Sequence, residues 1–162
     1  MMKFSHDVYA EMNPAYCSVL LYFFVDSYIR TGERPIDLPL IYIGLPILLS
    51  DDYHSSFTGT NKTTGLREWL NRSPDYDVNL HIRLNGSLEV VSEAIQFSCF
   101  SEYLVLNEKA ELILGSKKLK KSIFKKMDSS LLESVRYSEK LGSWFASAGS
   151  TKAVFDIMGL TV

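Results

Sequence analysis

The chain has 162 residues, enough for one domain with a sizeable core. Hydrophobic residues make up 46% and charged residues 22%, which argues against wholesale disorder. A net charge of −2 provides no global field toward nucleic acid, so any such contact needs a local basic patch.

Taken in chain order, residues 1–12 mix Lys3, His6, Asp7 and Glu11 into apolar neighbours. They lack the apolar run of a signal peptide, so export is not expected and the cytoplasm is. Cys17 and Cys99 both sit in apolar stretches, which predicts two buried thiols in a reducing compartment rather than a disulfide framework. Asn13 is a good N-cap and Pro14 a good first helical residue, so a helix is predicted to about Thr31, with Gly32 as its left-handed stop. That helix is apolar nearly all round and belongs at the centre of the fold.

A polar connection over residues 33–37 leads to a second apolar helix over Leu38–Leu49, which Pro46 should kink or split. The apolar runs over residues 15–25 and 38–49 are both shorter than the roughly 20 residues of a spanning helix. Asp26, Arg30, Pro39 and Pro46 interrupt or border them, so buried helices explain them better than a membrane hairpin. Residues 57–65, rich in Gly, Thr and Asn, read as a loop, and Thr64 can cap a short helix with Leu66, Trp69 and Leu70 on one face.

Residues 75–85 are ambiguous. Tyr76, Val78, Leu80, Ile82 and Leu84 alternate as in a strand, yet Leu80 and Leu84 also suit a helix stopped at Gly86, with Ser87 as a new N-cap. Leu88, Val91, Ile95 and Cys99 then line a helical face. Leu104 to Leu106 and Glu111 to Leu114 read as two strands around a tight turn. Helix, turn, helix and hairpin is the order of a winged helix.

Lys117 to Met127 is a basic amphipathic segment with Leu119, Ile123 and Met127 four residues apart. Ser130 to Glu133 forms a capping box for a long helix closed by Gly149, and Thr151 begins a last short helix ended by Gly159. The reading is therefore a single, mainly α domain over residues 1–162, with a small β-hairpin and a winged-helix-like core. Trp144, Phe145 and the run Tyr22, Phe23, Phe24 are expected in that core.

Little in the chain points to chemistry. Asp51, Asp52 and His54 could ligate a metal, but His6 and His81 stand apart and no HExxH or CxxC spacing exists. A polar loop is the expected reading there, with no metal and no cofactor. The stretch Gly59 to Gly65 superficially suggests a phosphate loop, but Lys62 precedes the second glycine instead of following it. No nucleophile elbow is present, a Cys–His pair would need unseen proximity, and no enzyme activity is expected.

The exception is a run of cations: Lys117, Lys118, Lys120, Lys121, Lys125 and Lys126, with no acid among them. Such a run can follow a DNA backbone by counterion release without reading sequence. It can equally be a solvated helix face or a dock for an acidic partner.

The landmarks Asn13-Pro14-Ala15, Leu38-Pro39-Leu40 through Pro46-Ile47-Leu48-Leu49, Leu66 with Trp69, the hairpin, Lys140 to Gly149 and Ile157-Met158-Gly159-Leu160 resemble, in this order, a known group. That group is the middle components of bacterial three-component ABC ATPase systems, which include the Lamassu-type anti-phage and anti-plasmid defence complexes. The resemblance implies a non-catalytic accessory subunit. Its partners would be an ATPase similar to the structural-maintenance-of-chromosomes proteins and an effector, often a nuclease. Double-stranded DNA would be met through the complex, and no membrane. It also implies a helix over residues 75–85. The competing reading is a free-standing winged-helix DNA-binding regulator, weakened by Glu89 and Glu93 and the lack of Arg or Lys on the candidate recognition helix.

Overall fold

The computed structural model describes residues 13–73, 80–126 and 129–160. Asn13 Oδ1 accepts the Ala15 N–H at 2.9 Å, and Pro14 opens helix α1, Pro14–Gly32. Gly32 is not the left-handed stop. Glu33 takes that conformation, with φ 53°, and its N–H reaches the Ile29 carbonyl. Gly32 remains helical in a crowded place, beside Arg34 and the Cβ of Ala146.

The predicted polar connection holds a strand, β1, Ile36–Asp37. Ile36 is fully buried because it pairs with Leu112. Helix α2, Leu38–Leu49, runs unbroken through Pro46, so the expected split does not occur. Residues expected as a polar loop instead form α3, Asp51–His54, and a 3₁₀ turn, Ser55–Phe57. Helix α4, Leu66–Asn71, buries Leu66, Trp69 and Leu70 as expected. Its N-cap is Gly65 at φ 84°, while Thr64 Oγ1 accepts the Asn61 N–H. Thr64 stabilises the loop rather than the helix.

Of the ambiguous stretch, residues 75–79 lie outside the described residues, and the remainder is helix α5, Leu80–Gly86. Helix α6, Leu88–Phe100, buries Val91, Ala94, Ile95 and Ser98. The expected face is thus turned: Leu88 is exposed and Cys99 only half-buried. Ser87 does not cap α6 with its side chain, because its hydroxyl donates to the Arg83 carbonyl.

Strands β2, Leu104–Leu106, and β3, Glu111–Leu114, form the expected hairpin, with Leu104 opposite Leu114 and Leu106 opposite Leu112. Strand β1 adds to its far edge, giving a three-stranded antiparallel sheet in the order β1-β3-β2. Asn107 Oδ1 fastens the turn by accepting the N–H groups of Lys109 and Glu111.

The expected basic segment is helical for one turn only, α7, Lys121–Phe124, with Phe124 buried and Ile123 exposed. Met127 lies outside the described residues. Helix α8, Ser129–Ser147, begins one residue before Ser130, so Ser130 lies inside its first turn rather than at its cap. Gly149 follows at φ 102°. Ser150 caps α9, Thr151–Met158, through the Ala153 N–H, and left-handed Gly159 ends it.

The core is built on α1, which packs mainly on α8 and α6. Tyr22, Phe23, Phe24, Trp144 and Phe145 are all buried in it. Among the described residues no helix is long and apolar enough to cross a membrane.

Candidate functional site

The site begins at the seam between α1 and α8. Helix α8 presents small residues to α1, among them Ser138, Gly142, Ser143 and Ala146, all buried. A Cβ on Gly142 would fall 2.3 Å from the Phe24 carbonyl oxygen, so the two backbones meet where only glycine fits. Polar side chains bridge the seam: Ser27 Oγ donates to the Glu139 carbonyl at 2.6 Å, Thr31 Oγ1 to Ser143 Oγ at 3.2 Å, and Arg34 Nη2 to the Ala146 carbonyl at 3.0 Å.

Asp26 on α1 and Glu139 on α8 therefore sit at the rim of a tightly closed seam, 8% and 9% exposed. Carboxylates this sheltered need cations. Asp26 takes Arg30, four residues on, at 2.9 Å. Glu139 takes Lys121 Nζ at 3.1 Å on each oxygen, and Lys62 stands 3.8 Å away.

These pairs floor a cleft of about 460 Å³. Arg30, Lys62, Lys118, Lys120 and Lys121 line it, five cations against the two carboxylates. The Tyr22 phenol also lines it, and its pKa is raised, chiefly by burial. Arg30 and Lys62 remain largely solvent-accessible beyond their acid partners. The cleft thus holds three more cations than carboxylates.

The lysines of the run face in different directions. Residues 117–120 are not helical, and Lys120 has extended backbone at φ −112°, ψ 129°. Lys118, Lys120 and Lys121 turn to the cleft. Lys117 instead pairs with Glu102 at 3.4 Å and lines a different groove. Lys125 and Lys126 are exposed in the turn after α7 and line neither. Among the described residues no carboxylate lies within ion-pair distance of Lys118, Lys120, Lys125 or Lys126.

Sequence reasoning missed Arg30 and Lys62. Arg30 carried one local signal, its i,i+4 spacing from Asp26. Lys62 carried only the rejected likeness of residues 59–65 to a phosphate loop, because its position depends on how α8 holds residues 57–65. Trp144 Nε1 donates to the Asn61 carbonyl at 2.9 Å and Lys140 Nζ to the Phe57 carbonyl at 3.3 Å. Phe57 itself is clamped in an aromatic stack, 4.7 Å from Tyr137, 5.3 Å from Trp69 and 5.7 Å from Trp144 between ring centroids.

The other residues singled out are occupied elsewhere. Asp52 pairs with Arg83, and His54 lies 3.4 Å from Asp51 and 3.0 Å from the Leu48 carbonyl. Among the described residues no three His, Cys, Asp or Glu side chains gather as a metal site would require. Cys17 is buried, and burial raises the thiol pKa of Cys99.

The whole chain, residues 1–162, matches the model of a family described as ABC-three component (ABC-3C) system Middle Component 3. No curated protein and no solved structure matches it.

Proposed function

The chain belongs to the Middle Component 3 family of ABC-three component systems, and on that premise we propose that it is a non-catalytic accessory subunit of a Lamassu-type defence complex. In this reading it bridges an ATPase similar to the structural-maintenance-of-chromosomes proteins and an effector subunit, in the cytoplasm. The observation that carries the proposal is the family match over the full length of the chain.

The complex meets double-stranded DNA, and the α1–α8 cleft touches the phosphate backbone through Lys118 and Lys120, with Arg30, Lys62 and Lys121 beside them. Support for this is the surplus of cations over carboxylates in the cleft. The order α5, α6, β2, β3 supports a winged-helix centre. That order also favours the second reading, a free-standing regulator. Against it, Glu89 and Glu93 are exposed on α6, the helix that would have to enter the major groove.

The test is to express the tagged chain from its native locus and purify it. Retention of an ATPase and an effector encoded beside it is expected. A dimer that retains neither and protects a defined operator would establish the regulator instead.

A further inference from the structure

A second concavity, on the other side of the lysine segment, is apolar. Its volume is about 660 Å³, and Val19 of α1, Phe97 and Phe100 of α6, Leu119, and Ile123 and Phe124 of α7 line it. Three of these side chains face water to an extent the fold does not require: Phe100 is 90% exposed, Ile123 53% and Phe97 37%. An exposed aromatic beside further apolar side chains in one concave place marks a binding surface.

The charge at this groove is mainly positive. The wall that supplies Leu119 and Ile123 belongs to residues 115–127, which hold six lysines and no acid, although three of those lysines, Lys118, Lys120 and Lys121, turn to the cleft on its other side. Lys117 lines the groove itself, and the chain runs from Phe124 directly into exposed Lys125 and Lys126. The one carboxylate paired there, Glu102, meets Lys117 with both side chains about three-fifths exposed, so it barely masks that charge.

The walls also select the occupant's conformation. They consist of side chains from three helices and two non-strand connections, with no residue of a strand among them. An extended peptide would therefore find no ladder of backbone groups to pair with, whereas a helix satisfies its own. We propose that this groove docks an acidic amphipathic helix of another subunit of the complex, its apolar side chains seated against Phe97, Phe100 and Ile123 and its carboxylates meeting Lys117, Lys125 and Lys126. This rests on the accessory-subunit reading and gives that reading a place of contact.

The experiment uses the full chain co-expressed with the ATPase and effector components encoded beside it. Two variants, Phe100→Ser with Ile123→Ser, and Lys117→Glu with Lys125→Glu and Lys126→Glu, change side chains at the surface, and matching thermal unfolding confirms their fold. Each variant should retain at least about tenfold less of one component. Wild-type retention of that component should fall between about 0.1 and about 0.5 M NaCl. A benzophenone photo-crosslinker in place of Phe100 should join a segment rich in Asp and Glu. Full retention by both variants overturns the groove while leaving the accessory role standing. So does a crosslink to a neutral or basic segment, to a second copy of the chain or to added duplex DNA. Wild-type chain that retains no component removes the role and the groove together.

Discussion

Lys121 Nζ stands 3.1 Å from both carboxylate oxygens of Glu139, yet the two partners are sheltered very differently, 46% and 11% exposed at the side chain. The pair joins the lysine segment to the α1–α8 seam. The exposed cation is screened, and Lys62 stands by as a second partner. Lys121→Ala should therefore cost less than about 1 kcal/mol of stability in urea unfolding. A loss of several kcal/mol would show that Lys62 does not share the carboxylate.

Gly142 is the tightest point of the same seam. Gly142→Ala places a methyl 2.3 Å from the Phe24 carbonyl and must push α1 off α8. The expected cost is about 2–3 kcal/mol or more. Gly86→Ala, with nothing within 4 Å, should by contrast be neutral or stabilising. Thermal melts of the two variants check this, and equal melting temperatures would contradict it.

Stability should decline in alkali. The Tyr137 phenol is pushed up to about 12, chiefly by burial and then by donating to the Glu133 carboxylate at 2.7 Å. The folded chain thus keeps a proton that the unfolded chain has lost. Its contribution is whole below about pH 10, the ordinary tyrosine value, and drains as pH rises through the folded value. Burial raises Tyr22 and Tyr28 in the same direction. Tyr137→Phe should flatten, without abolishing, the fall in urea midpoint above about pH 10. An unchanged slope would contradict the assignment.

Each phosphate contact contributes about 0.9 to the slope of log affinity against log salt. Lys118→Gln with Lys120→Gln should weaken duplex DNA binding by the complex and lower that slope by about 2. Lys152→Gln, which lies outside both the cleft and the apolar groove, should leave the slope unchanged. A slope lowered by Lys152→Gln and not by the cleft pair would place DNA on another face.

What the sequence made legible was local. Asn13 and Pro14 announced α1, two short apolar runs around a tight turn announced the hairpin, and Gly159 closed α9, because each signal lies within a few residues of its effect. The errors were also local signals, overridden by packing. Leu119 and Ile123 at helical spacing suggested a longer helix, but the backbone of residues 117–120 is non-helical and α7 is a single turn. A strand of two residues, Ile36–Asp37, has no periodicity to detect and exists because β3 offers it a partner. The cleft was only half legible for the same reason. Its lysines stood out as a run, whereas Arg30, Lys62 and the carboxylates that fix them come together only when α8 closes on α1.

Whether the chain is a subunit at all is decided by native mass spectrometry of the chain co-expressed with its neighbouring ATPase and effector. The 18.4 kDa chain should appear within one assembly that also contains the ATPase. A spectrum showing only free chain, with the ATPase and effector assembled without it, would contradict it.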